Sequence, residues 1–293
     1  MEHVSRVIDM FAAKSLDNRE IGDYLDTTGL LMCGKCHTRK QTKIDWPIGG
    51  GLFEKRTLGC ACKCEEKAYN DARQADTERA FKERLDELRR DGITDPAYLR
   101  HTFVADDGKN QDATLACRRY VDNWPKMLEE NIGILLYGDV GTGKSFFAGC
   151  IANALLEKLI TVSMTNFPRL LNALQGSFGE DKQVVINKLQ RYALLVIDDL
   201  GAERDTAYST EQIFNVIDTR SRARKPLIVT TNLTLGDLKN PQKIEYKRIY
   251  DRVLDMCPIR IKLAGKSRRG NFSDGRAALV RQIIGTEPDR RNP

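Results

Sequence analysis

The chain of 293 residues contains no apolar run approaching the length that spans a membrane. Near its start acidic residues stand where the apolar core of a signal peptide would be, so the expected location is the cytoplasm. No repeat of solenoid or propeller period is legible. Apolar material is scarce over residues 31–64, and residues 65–91 hold neither Pro nor Gly. These absences exclude a membrane-spanning bundle and a repeat array. What remains is 41% hydrophobic and 30% charged residues, enough for a sizeable core in one large domain plus a smaller one.

Charge is unevenly placed. Residues 260–293 carry nine Lys/Arg against three Asp/Glu, which accounts for the whole net charge of +6. A basic end of this kind suits phosphate-backbone contact, and equally a solvated tail. Cysteine is uneven too. Five of the eight lie between Cys33 and Cys64, and in a cytosolic chain such clustering reads as metal rather than disulfide. Cys33-Gly34-Lys35-Cys36 is a CxxC turn, and Cys60-Ala61-Cys62-Lys63-Cys64 closes the stretch. Two thiolates from each end would complete a tetrahedral zinc site, with Cys33, Cys36, Cys62 and Cys64 as the expected ligands. Cys60 could replace one of the later pair, and His37 is a poorer substitute beside a ligand. With so little apolar material around it, zinc would supply the folding free energy.

Residues 65–91 read as a mostly solvated helix that Gly92 would cap, with a thin apolar stripe through Ala68, Ala72, Ala75, Phe81, Leu85 and Leu88. It would link the cysteine module to the larger domain or present its stripe to a partner. Ala113 to Glu130 has helical periodicity that Pro125 interrupts.

The strongest signal lies near the middle of the chain. An apolar run from Ile132 to Tyr137 leads into Gly138-Asp139-Val140-Gly141-Thr142-Gly143-Lys144-Ser145, and apolar residues at helical spacing run from Phe146 to Lys158. Strand, glycine loop and helix form the context of a P-loop. Its glycines free backbone N–H groups to turn toward phosphate oxygens, and the helix start adds its dipole. Lys144 would reach the β/γ-phosphates and Ser145 would ligate Mg²⁺. The loop and Phe146 together form the expected nucleotide site. About 55 residues on, Ala193 to Ile197 is a near-continuous apolar run that ends in Asp198-Asp199. Buried parallel strands look like this, and carboxylates at their C-terminal ends face the ligand side of an open α/β sheet. Asp198 fits a Walker B aspartate acting on Mg²⁺ mainly through its water shell. Asp199 is the expected activator of the attacking water, with Glu203 near enough to share that role. Pro226 to Asn232 is another buried strand with a polar end, where Asn232 could hold the water beside the γ-phosphate. Arg248 and Arg252 share one face of a helix over Tyr246 to Met256, and Ile259 to Leu263 reads as a last edge strand.

In combination, the P-loop, Leu195 to Glu203, Thr230-Thr231-Asn232-Leu233 and Tyr250-Asp251-Arg252-Val253 resemble the AAA+ ATPases of the DnaC/DnaI/IstB type, over roughly residues 100–270. The cysteine-rich front resembles the zinc module that some bacterial and phage DnaC-like proteins carry. The resemblance implies an α/β AAA+ P-loop domain over residues 99–270, with a central parallel sheet flanked by helices. Before it would come a zinc module within 1–64 and a helical linker over 65–98, and after it a basic tail over 271–293. It implies ATP, Mg²⁺ and Zn²⁺ as cofactors. It implies an ATPase, weak as an isolated subunit, that loads a hexameric replicative helicase, binds single-stranded DNA and assembles into a ring or spiral. By this resemblance Asn232 is the sensor residue and Arg252 the arginine finger, with Arg248 as fallback. The DNA contact falls in Thr165 to Phe178, with Phe167 for base stacking and Arg169 for phosphate. Gly265-Lys266-Ser267-Arg268-Arg269 matches a Gly-x-Ser-x-Arg stretch of the family. An IstB-like transposition helper acting on duplex DNA, or a nucleotide-dependent adaptor with negligible turnover, are the competing readings.

Overall fold

The computed structural model describes residues 19–176, 180–202, 206–265, 267, 282 and 283. Glu203, Arg268, Arg269 and most of the basic tail lie outside the described residues. The chain divides into two compact units, 1–82 and 83–293.

In the first unit, β1 (Tyr24–Leu25) pairs with β2 (Leu31–Met32), and β3 (Gln41–Gly49) pairs with β4 (Leu52–Gly59) in a long antiparallel hairpin. The hairpin turns through Gly49, Gly50 and Gly51, all at positive φ, where a side chain would strain the backbone. The two cysteine turns lie on either side of this hairpin in sequence. Helix α1 (Lys63–Gly92) begins in this unit and ends in the second. Its stripe is only partly used. Leu85 and Leu88 are buried, whereas Ala68, Ala72, Ala75 and Phe81 are exposed.

The second unit continues through a 3-10 turn (Pro96–Arg100), α2 (Gln111–Asp122), α3 (Trp124–Glu129), β5 (Ile134–Tyr137) and α4 (Lys144–Leu156). Then come β6 (Val162–Asn166), α5 (Phe167–Gln175), α6 (Glu180–Arg191), β7 (Leu194–Leu200) and α7 (Ala207–Arg222). β8 (Leu227–Thr231), α8 (Leu235–Lys239), α9 (Ile244–Met256) and β9 (Ile259–Lys262) complete it. Pro125 sits in the first turn of α3, where its missing N–H costs nothing, so the periodicity over 113–130 resolves into two helices. β6 begins only at Val162, because the N–H of Ile160 still donates to Leu155 at the end of α4.

The five strands form one parallel sheet in the order β6-β7-β8-β5-β9, with β9 on an edge. Both faces are covered. Ile134, Leu136, Leu194, Val196 and Ile228 join one apolar cluster, while Leu135, Leu195, Ile197, Leu227 and Val229 join the other. Alternate residues therefore face different layers, and both sets must be apolar. That is why these strands read as unbroken hydrophobic runs. This is the three-layer α/β architecture of an AAA+ P-loop domain. Among the described residues, no helix is long and apolar enough to cross a membrane.

Candidate nucleotide site and metal centre

The P-loop joins β5 to α4 at the C-terminal edge of the sheet, where ligands bind in open α/β folds. Gly138, Gly141 and Gly143 have φ of 131°, 80° and 100°. A Cβ at position 138 would lie 2.2 Å from the Leu263 carbonyl oxygen, and one at 141 would lie 2.1 Å from Ser267 Oγ. The loop therefore requires glycine for conformation and for space, and Ser267 lies directly against it. Lys144 Nζ donates to the carbonyls of Gly138 and Asp139, at 2.8 and 2.6 Å, and Thr142 Oγ1 donates to Asp139 at 2.8 Å. Asp139 and Val140 are exposed, while Phe146 is half-buried beside His101. Glycine turns a side chain cannot enter, a buried lysine curled into them and a helix start fit a nucleotide's phosphates.

Asp198 and Asp199 lie in the C-terminal half of β7, and the structure separates them. Asp198 is 3% exposed and held from both sides: Thr230 Oγ1 donates to one carboxylate oxygen at 2.5 Å, and Tyr98 Oη donates to the other at 2.9 Å. Asp199 has a φ of 58°, an uncommon conformation for a residue with a side chain, and its N–H donates to Thr230 Oγ1 at 2.9 Å. Such backbone is retained where surrounding structure enforces it, often at functional sites. Thr230 thus touches both aspartates. Asn232, the expected sensor, is exposed two residues later and has no hydrogen bond among the described residues. Thr230 was legible as the polar end of a buried strand. Tyr98 carried no sequence signal, lying 100 residues from its partner.

The other expected contacts fare differently. Phe167 is fully buried in the core beside Leu170 and Leu195, so it has no face for a base to stack on. As the first residue of an amphipathic helix, it packs against the sheet. Arg169 is half exposed but already bound, donating to the Thr94 carbonyl at 2.6 Å and to Asp95 at 2.8 Å. Arg252 pairs with Asp218 and lies over the Phe214 ring at 4.7 Å. Arg248 is exposed on the same helix.

In the first unit, Cys33, Cys36, Cys62 and Cys64 converge, with all four sulfurs within 4.8 Å of one another. Cys60 stays outside the cluster, exposed, its Sγ directed at the Arg39 carbonyl at 3.5 Å. His37 pairs with the Tyr24 hydroxyl at 3.2 Å. The Thr38 hydroxyl, 3.0 Å from Cys36, draws that thiol down to about 5. A hydrogen bond with Cys36, and then burial, push the Cys64 thiol up to about 12. One thiolate forms at its neighbour's expense, because negative charges this close repel unless a cation offsets them. Four sulfurs in two tight turns fit a tetrahedral Zn²⁺ site. A buried ionic group supports the turns. Lys40 Nζ lies 2.9 Å from Asp23 and 3.2 Å from Glu65. Asp23 accepts from the Gly34 N–H at 2.9 Å, and Glu65 accepts from the Cys62 N–H at 3.0 Å. The Gly34 N–H holds the Asp23 carboxyl at about 2, with further help from the Glu20 N–H and Lys40.

Residues 70–272 match the family described as IstB-like ATP binding protein. Over 146 residues, 48% of the chain, the sequence is 28% identical to the replicative helicase loader DnaC of Escherichia coli K12, covering 57% of that protein. Over 152 residues, 47% of the chain, it is 30% identical to the replicative helicase loader DnaI of Bacillus subtilis, covering 47% of it. The chain thus spans about half the length of these curated relatives. Among solved structures, a putative primosome component from Streptococcus pyogenes serotype M3 superposes with a TM-score of 0.51 at 25% identity, over 62% of this chain and 97% of that one. A crystal structure of DnaI shares the fold, with a TM-score of 0.50 at 22% identity, over 62% of this chain and all of that one. The family match takes in the P-loop, both aspartates and the strand that supplies Thr230, and the chain belongs to the IstB-like ATP binding protein family.

Proposed function

We propose that the protein is an ATP-dependent loader of a hexameric replicative DNA helicase. The observation that carries the ATPase half is the site at the sheet edge, with Lys144 in a glycine cradle and a buried Asp198 fixed by two hydroxyls. The loader half rests on the relatives named helicase loaders. In this reading Lys144 holds the β/γ-phosphates of ATP, and Ser145 and Asp198 hold Mg²⁺, Asp198 mainly through its water shell. Asp199, with Glu203 as an alternative, takes the proton of the attacking water, and Asn232 orients that water. Bound Mg²⁺ supplies charge neutralisation at the phosphates.

Arg252 of one subunit would complete the site of the next, so an isolated subunit hydrolyses slowly. To do so it leaves Asp218, and Arg248 stands ready on the same helix as the alternative. Single-stranded DNA would run past Arg169 without a stacking role for Phe167. The cysteine module, holding Zn²⁺ on Cys33, Cys36, Cys62 and Cys64, would carry partner docking together with the exposed part of α1.

The test is co-purification with the host's hexameric helicase, with and without ATP, using Lys144→Ala and Cys33→Ser as controls. A complex formed by the wild type and lost in Cys33→Ser supports the loader reading and docking through the module. No complex in any nucleotide state sinks it for that helicase. The resemblance to IstB carries one second reading, a transposition helper acting on duplex DNA. Preference for duplex over single-stranded DNA in a binding titration would select it.

A further inference from the structure

We propose that Tyr98 is a positioning residue for the Mg²⁺-binding carboxylate, an inference that rests on the ATPase reading of the site. The Tyr98 hydroxyl, with that of Thr230, sets the plane of the Asp198 carboxylate before nucleotide arrives. Each carboxylate oxygen accepts one of the two hydroxyls, so rotation about the last side-chain bond would break both bonds together.

The ring that carries the hydroxyl is itself fixed. Tyr98 lies in the 3-10 turn Pro96–Arg100, capped by Asp95, which accepts the Ala97 N–H. Buried Asn153, on the P-loop helix, donates to the carbonyls of Tyr98 at 2.8 Å and His101 at 2.9 Å. His101 Nδ1 lies 3.2 Å from the carbonyl oxygen of Ser145, the residue after the P-loop lysine. On the other side, Thr94 Oγ1 donates to the Met164 carbonyl of β6 at 3.0 Å, and Arg169 clamps Thr94 and Asp95. The turn is therefore a brace between the P-loop helix and the strand beside β7, and the hydroxyl is its point of contact with Asp198. Groups one step out from a metal commonly set the orientation of what holds it.

A buried tyrosine hydroxyl also needs a partner for its own sake, and the experiment separates the two roles. Full-length Tyr98→Phe keeps the ring and deletes only the hydroxyl. Binding of a fluorescent ATP analogue is titrated with Mg²⁺, and again in EDTA. The expected result is a Mg²⁺ midpoint raised about tenfold, with affinity in EDTA and melting temperature close to wild type. An unchanged midpoint overturns the proposal. So does an equal loss of affinity with and without Mg²⁺, which would mark the hydroxyl as packing alone. Asp198→Asn run alongside should raise the midpoint at least as far. If it does not, the ATPase reading of Asp198 fails, and with it this inference. If Asp198→Asn responds and Tyr98→Phe does not, only the role of Tyr98 falls.

Discussion

Asp198 and Asp199 are neighbours of the same chemistry given different work by their backbone. Asp198 lies within buried strand β7, paired with Asn166 of β6, and each of its carboxylate oxygens accepts a hydroxyl. Asp199 turns left-handed at φ 58° and is half-buried. The first is suited to hold a cation in place, the second to meet a water. Asn tolerates the left-handed region about as well as Asp, so Asp199→Asn removes the proposed base without disturbing the turn. Hydrolysis should fall by about 10²–10⁴-fold, the usual worth of a general base. Nucleotide affinity should stay near wild type in the same preparation. Single-turnover hydrolysis beside equilibrium binding checks this. Retained hydrolysis would move the base to Glu203.

Helix α1 shows the same division within one element. Its first six turns carry charges on all sides and bury none of the stripe, whereas Leu85 and Leu88 enter the core of the second unit. Leu88→Ala should destabilise that unit by about 2–4 kcal/mol, the common cost of a large-to-small change in a core. Phe81→Ala, at 44% exposure, should cost less than about 1 kcal/mol in the same denaturant titration. At the helix end, Asp91 pairs with Lys188 at 2.7 Å and accepts from the Tyr192 hydroxyl at 2.6 Å. Lys188, then Tyr192, lower the carboxyl below its ordinary value. A carboxyl depressed in the folded state stabilises fully above its unfolded pKa, and the contribution is lost as pH falls. The melting temperature of the wild type should therefore decline more steeply than that of Asp91→Asn below about pH 4. Parallel slopes for the two proteins would remove Asp91 from the acid response. The sheet strands and their helices were legible because a strand buried on both faces has no choice of pattern. The hairpin of β3 and β4 was not, although Thr42, Ile44, Trp46 and Ile48 alternate with Lys43, Asp45 and Pro47. Ile48, Leu52 and Phe53 remain exposed, so the hairpin pairs through its backbone without the buried face that makes alternation stand out. Within the nucleotide site, the loop and carboxylates were local in sequence and legible, while Tyr98 arrives through tertiary folding alone.

For the whole molecule, the two units are stabilised by different means. The second buries two apolar layers against a five-stranded sheet. In the first, the buried groups include Leu30, Leu31, two of the clustered cysteines and the ionic group around Lys40. A unit of this size without a sizeable core commonly needs a metal or cross-link to stay folded. The proposed zinc therefore predicts unequal sensitivity to chelation. Stripping metal from the full-length protein with a strong chelator under reducing conditions should open residues 19–62 to limited proteolysis, and change the fluorescence of Trp46. Residues 83–265 should survive as a protected fragment that still binds nucleotide, because their core owes nothing to the four clustered cysteines. Cys62→Ser should reproduce the cleavage pattern without chelator, whereas Cys60→Ser should leave the wild-type pattern, since its sulfur points out of the cluster. Equal resistance of the first unit before and after chelation would mean that the hairpin and the Lys40 ionic group hold it without metal, and that the four sulfurs stand together as thiols.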